Sequence, residues 1–399
     1  MTSKLVVATS SLGALVVIAA AFRPPRIVKI GGFWCSVYWS FRSWAWNYPI
    51  SSDESVWEPY NDPDCNPRTL VKFFEHRNRI WDFMRPFFAS RGYDLYVARC
   101  SAELEQYPSP TSVEPQKAPS YPYARQFCNL NEDFMFHTIK PRAWAARDRR
   151  GYEVVIKAIS NEDATPELRA LRFLQSNEIL DDPRARIIPI LDWIDAFGHT
   201  FIVMPRWGDL ERADFVTVGE LVRYFHDLAE TVAFLHSKGI SHSDIGMNVV
   251  MDAQTGGQFS APKLAGLRGP ECRYALIDFG CATFYSEDDG KVLGWRGSLE
   301  ASFKADVSWL SWLTISRVMC IGSDLLPDLE ALLRAMEDVD SPTQPTSADV
   351  LQRFDAMCAT LTTSDMEKPL SAVFWNEHDG TYRMRTKDIV YAPPYPPTS

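Results

Sequence analysis

The stretch "GISHSDIGMNVVMD", residues 239–252, decides how this chain is read. It follows the amphipathic run "TVGELVRYFHDLAETVAFLHSKG" (217–239), whose apolar spacing predicts a helix stopped by Gly239. His242, Ser243 and Asp244 then stand together, Asn248 follows four places after Asp244, and an apolar run closes on Asp252. Downstream, "ALIDFG" (275–280) puts three aliphatic residues before Asp278-Phe279-Gly280, which reads as a buried strand emptying into a polar turn.

Phosphoryl transfer from ATP needs few protein parts. A cation holds the donor phosphates, one carboxylate binds Mg2+, and a second orients the acceptor hydroxyl. The chain carries a candidate for each. Lys157 ends the apolar run "VVIK" (154–157), inside the predicted strand "EVVIKAI" (153–159). Alone, such a lysine is more often an exposed strand end. Glu167 follows Thr165-Pro166 at the start of the predicted helix 164–174; alone, it is an acid that the helix dipole favours. Asp244 is the candidate to take the acceptor proton, and Asn248 and Asp278 are the candidates for the metal.

In order and approximate spacing these pieces resemble a protein kinase domain over about 130–360, with an α+β, two-lobed fold, a small β-rich lobe before a larger helical one. The resemblance implies ATP and Mg2+ as cofactors. It makes Asp244 and Lys157 catalytic, with Lys157, Glu167, Met204 and Trp207 at the ATP and Asn248 and Asp278 at the metal. "FIVMPRW" (201–207) resembles the strand leading to the adenine hinge, with Met204 at the gatekeeper place and Trp207 on the hinge backbone. "KADVSWLSWL" (304–313) resembles the buried helix whose aspartate, here Asp306, braces the catalytic loop. "MEDVDSPTQPTSADVLQRF" (336–354) resembles the closing segment of the domain. "FMRPFFASRGYDL" (83–95), "VMP" (203–205) and a poor glycine loop are similar to kinase-like proteins of basidiomycete fungi. The implied activity is transfer of the ATP γ-phosphate to Ser or Thr hydroxyls of a protein. A pseudokinase docking to a partner, or a small-molecule phosphotransferase on the same fold, are the alternatives.

Several positions depart from that pattern. Asp244 and Asn248 are four residues apart, where the family has five. Ser243 replaces the arginine that meets a phosphorylated activation loop. No glycine occurs between 129 and 150, and Pro141 and Arg142 fall where backbone would approach the phosphates. Glu300 lies only six residues before Asp306, and Gln344 stands where its arginine partner is expected. The Gly-rich stretch 253–274 reads as an exposed insertion.

The rest of the chain sets bounds. Its 399 residues, 46% hydrophobic and 23% charged, suit a chain with a substantial core. A formal net charge of −10 argues against nucleic acid as a partner. The eight cysteines include no C-x-x-C pair, which fits reduced thiols in a cytoplasmic catalytic domain. Residues 5–22 are uncharged and reach the length of a bilayer span, and 31–48 are dense in Trp and Tyr. Segment 1–50 is therefore read as a possible membrane anchor tethering that domain, against a cleaved signal peptide or an apolar tail. The expected domains are this segment, a helical extension and Pro-rich linker (51–127), the two kinase lobes (128–207 and 208–370) and a tail (371–399). Within the extension, 68–92 has helical spacing, and Pro86 is expected to kink or end the helix. "ARIIPILDWI" (185–194) and "GHTFIVMP" (198–205) are expected as strands, and 303–319 and 348–361 as helices, the first centrally buried.

Overall fold

The structure is a computed structural model. It describes residues 41, 42, 44, 45, 67–97, 111–117, 119–127, 136, 142–160, 165–210, 214–255, 264–286, 290–294, 298–318, 325–370, 373–376, 381–384, 390 and 391. The expected anchor at 5–22, Pro141 and the terminal "APPYPPTS" lie outside them. Among the described residues no helix is long and apolar enough to cross a membrane.

The architecture is α+β. The chain divides into two compact units. One comprises Met1–Gln116, Met135–Glu162 and Trp193–Val203; the other comprises Lys117–Phe134, Asp163–Asp192 and Met204–Ser399.

The first unit is built on a five-stranded sheet. Its strands are β1 (Tyr93–Leu95), β2 (Ala143–Asp148), β3 (Glu153–Ser160), β4 (Asp192–Ala196) and β5 (His199–Pro205), in the order β1-β2-β3-β5-β4. β2 pairs antiparallel with β3 and with β1. Every residue of β5 is buried, as its apolar run predicts. Helix α1 (Pro67–Arg91) packs beside β1, and Gly92 at φ +99° turns the chain from helix to strand. Trp81 stacks on Trp144 at 5.7 Å, and Phe88 meets Phe201 edge-on at 5.2 Å.

Pro86 does not end α1, which runs on to Arg91. A helix-interior proline costs about 3 kcal/mol, but burying Phe87 and Phe88 just beyond it outweighs that loss. The extension is thus part of the sheet unit and supplies its edge strand. A buried ion pair, Arg147 Nε with Glu153 Oε1, reinforces the edge. Tyr96 Oη donates to Glu153 Oε2 at 2.5 Å, and Arg147 Nη1 donates to the Val113 carbonyl at 2.6 Å.

The second unit is mainly helical. Helix α2 (Pro166–Leu174) starts at Thr165, whose hydroxyl accepts from Leu168 N; α3 (Val218–Ser237) is capped in the same way by Thr217. Among the described residues three longer helices follow, α4 (Leu299–Val318), α5 (Leu329–Glu337) and α6 (Ser347–Cys358). α3 packs on α4 and on α6, where Phe225 and Phe354 meet at 4.5 Å. The short strands β6 (Gly208–Asp209), β7 (Ile240–Ser241), β8 (Val249–Met251), β9 (Tyr274–Leu276), β10 (Thr283–Ser286) and β11 (Lys291–Gly294) form two three-stranded sheets, β6-β8-β9 and β7-β10-β11.

Two expectations do not hold in full. Of "ARIIPILDWI", only the last three residues, 192–194, lie in a strand of the large sheet. Pro189 interrupts the run, and Ile187 bridges Leu276 in the second unit instead, with Ile188 N donating to the Leu276 carbonyl at 3.1 Å. The described ends of the 253–274 insertion are only partly exposed: Gly266, Pro270, Glu271 and Arg273 are exposed, whereas Ala253, Gln254, Leu267 and Arg268 are buried. Arg268 is 1% exposed, with its guanidinium 3.8 Å from the Phe215 ring centre and bonded to the Leu210 carbonyl at 2.7 Å. The Pro-rich segment is tied to the rest of the fold by main-chain bonds. Gln116 N donates to Gly151 O, Arg125 N to Asp252 O and Phe127 N to Gln254 O, at 2.8–2.9 Å.

Candidate functional site

The stretch 239–252 begins where α3 stops, with Gly239 at φ +71°. β7 then carries the chain beneath α4, and one buried carboxylate fixes the loop beyond it. Asp306 on α4 accepts from His242 N at 2.9 Å, Ser243 N at 2.6 Å, Ser241 Oγ at 2.7 Å and His236 Nε2 at 3.0 Å. Two backbone amides of the loop end on a single side chain, so the expected bracing role of Asp306 is present as geometry. Ser243 adopts φ +65° and sits where its Oγ meets Ser241 Oγ at 2.9 Å.

The short spacing after Asp244 closes into a tight turn. Asn248 N donates to the Ile245 carbonyl at 2.9 Å. The Asn248 amide Nδ2 donates to Asp244 O at 2.6 Å and to Asp244 Oδ2 at 3.1 Å. The amide therefore touches the carboxylate it is meant to work beside, and its oxygen is the atom left for a cation. Gly246 lies on the Trp309 ring: a Cβ there would come within 2.7 Å of it. That close approach is why the tight turn needs glycine.

The second motif is stitched to the first through the backbone of Ile277. Ile277 N donates to the Asn248 carbonyl at 2.9 Å, and the Ile277 carbonyl meets His242 Nε2 at 2.8 Å. The His242 ring also packs on Phe279 at 4.6 Å. Asp278, the next residue, is held in the left-handed region at φ +61° and accepts from Gly280 N at 3.4 Å. α2 packs on this turn. A Cβ at Gly280 would lie 3.1 Å from Asp278 Oδ1 and 3.7 Å from Glu167 Oε2, which places the buried Glu167 at the turn.

The second unit thus brings together Asp244, Asn248, Asp278 and Glu167. Lys157 lies on β3 in the first unit, half-buried and opposite Ala143. Met204 is the penultimate residue of β5 and is buried. The side chain of Trp207 is engaged away from the main chain: its indole Nε1 donates to the Pro122 carbonyl at 2.7 Å, and Gln254 Nε2 donates to the neighbouring Arg206 carbonyl. The Pro-rich segment and the insertion occupy these groups, so any nucleotide contact from Trp207 falls to its main chain. Glu300, in the first turn of the same helix as Asp306, has a mostly exposed carboxylate 3.6 Å from Lys304. Gln344 instead donates to the carbonyls of Lys304 and Met336 at 3.1 and 2.7 Å.

The supports at His236, Ser241 and Ser347 were not singled out from the sequence. His236 carried one usable signal, a polar ring in the last turn of an apolar helix just before the loop. No family model and no curated protein matches the chain.

Proposed function

We propose that this chain is an ATP-dependent phosphotransferase of the protein kinase type, with the two-lobed kinase fold, acting on Ser or Thr hydroxyls of a protein. One observation carries the reading. The backbone N–H and C=O of Ile277 bind Asn248 and His242, which holds Asp278 against the loop bearing Asp244. Two carboxylates and an amide of the types required meet in one unit. Lys157 stands on the third strand of a five-stranded sheet, where kinases carry their phosphate-binding lysine.

In this reading Asp244 accepts the proton of the attacking hydroxyl, and its bond from Asn248 keeps the carboxylate oriented. Lys157 is the candidate for the donor phosphates, and Glu167 is the candidate for the acid that kinases pair with that lysine. The oxygen donors of Asp278 and Asn248 fit Mg2+, which prefers hard oxygen ligands and would neutralise charge on the β- and γ-phosphates. Ser243 leaves the loop without the arginine that reads activation-loop phosphorylation, and Asp306 holds the amides of His242 and Ser243 instead.

A second reading, a pseudokinase that acts as a binding module, is favoured by the link from β1 to β2. That link runs from 96 to 142, and the sequence holds no glycine between Gly92 and Gly151. Close backbone approach to phosphates is harder without it. Thermal unfolding with Mg·ATP separates the two readings. Ligand at 100 times Kd is expected to stabilise by about 2.7 kcal/mol, with the shift lost in Lys157→Ala and Asp278→Ala. A wild-type protein that gives no shift at millimolar Mg·ATP refutes the phosphotransferase. A shift without phosphate transfer, unchanged by Asp244→Asn, leaves the binding module.

A further inference from the structure

We infer that Ser347 and His236 are positioning residues that act on the loop through Asp306, in a hydroxyl–imidazole–carboxylate relay. This inference rests on reading 241–248 as the phosphotransfer loop. The relay links three helices. His236 is in the last turn of α3, Asp306 is on α4, and Ser347 is the first residue of α6. Ser347 Oγ lies 2.8 Å from His236 Nδ1, and His236 Nε2 lies 3.0 Å from Asp306 Oδ2. Phe303 stacks on the imidazole at 4.0 Å, which fixes the ring plane.

The chemistry sets the direction of each bond. Asp306 takes backbone N–H groups from His242 and Ser243, so it serves as the acceptor, and His236 Nε2 carries the hydrogen that points to it. In the neutral ring Nδ1 is then the acceptor, and the Ser347 hydroxyl donates to it. Ser347 thereby selects the tautomer that feeds Asp306. Asp306 in turn fixes the two amides immediately before Asp244.

The three residues have the composition of a hydrolytic triad, and burial rules that role out. Ser347 is 3% exposed and Asp306 1%, so no substrate reaches the hydroxyl. The carboxylate is also spent on loop amides. The relay holds the loop and does no chemistry of its own.

The test uses the full chain and three readouts. In the wild type, 15N NMR of the His236 ring is expected to show hydrogen on Nε2 and none on Nδ1. In Ser347→Ala, amide exchange at His242 and Ser243 is expected to rise about tenfold, the equivalent of one lost hydrogen bond. Phosphotransfer kcat falls about tenfold with the ATP KM unchanged, since the lost bond matters to positioning and not to nucleotide contact. Ser347→Thr, which keeps the hydroxyl, restores both. Hydrogen on Nδ1 in the wild type, or exchange unchanged in a folded Ser347→Ala, overturns the relay. If exchange rises and the wild type has no phosphotransfer, the relay stands and the reading of the loop as a phosphotransfer loop falls.

Discussion

Ser243 is 2% exposed, holds a left-handed backbone and gives its amide to Asp306. Ser243→Arg would bury a guanidinium among groups that already have partners. It is expected to cost about 3 kcal/mol or more, read as a fall in the urea midpoint. At Gly208, a Cβ would stand 1.9 Å from the Ala253 carbonyl. Gly208→Ala therefore breaks the pairing of β6 with β8, and an unfolding loss of about 2–3 kcal/mol is expected. Cysteine reactivity offers a probe beside the site. Burial pushes the Cys272 thiol up to about 11, so alkylation at pH 8 should pass it by. Cys281 closes the turn that begins after Asp278 and is only half-buried. Its labelling, followed by peptide mass spectrometry, is expected to slow when Mg·ATP is present; equal rates with and without nucleotide would count against binding at that turn.

Among the elements, α3 and α6 are joined by more than Phe225 and Phe354. His226 Nε2 lies 3.4 Å from Asp355 Oδ1 on α6, while Asp227 and Glu230 on α3 face it and share Arg186. Asp227 raises the His226 pKa above its ordinary 6.5, burial opposes the rise, and Asp355 and Glu230 add to it. The folded value lies above the unfolded one, so the stabilisation is fully present below about pH 6.5 and fades as pH climbs through the raised value. The pair is partly exposed, and its worth stays under about 1 kcal/mol. His226→Gln should flatten the stability profile between pH 6 and 8, as measured by urea unfolding. α1 makes a larger contribution. Trp81 is fully buried against Trp144, so Trp81→Ala is expected to cost about 3–5 kcal/mol. A change under about 1 kcal/mol would mean that the helix is peripheral.

For the whole molecule, the sheet unit cannot be cut between β1 and β2. A chain beginning at 98 would lose α1 and β1, uncover Trp144 and Phe201 and bare the edge of β2. It is expected to aggregate or to unfold without cooperativity, whereas a chain beginning at 67 keeps these contacts. Thermal melts and gel filtration of the two chains decide the matter.

The sequence by itself determined the features that depend on near neighbours. Thr165 and Thr217 cap helices because their hydroxyls reach amides three residues on. β3 and β5 follow from unbroken apolar runs, and Gly239 from a helix that must stop. The residue types at Asp244, Asn248 and Asp278 were legible for the same reason, since each sits in a short motif next to a buried run. Tertiary structure decided what pairs across the chain. It carried α1 past Pro86, split 185–194 between two units, buried Arg268 in an insertion that reads as exposed, and set His236 between Asp306 and Ser347. Such contacts join residues far apart in sequence. The apolar area and hydrogen bonds gained in the folded state, which no local pattern records, outweigh the local preferences they override.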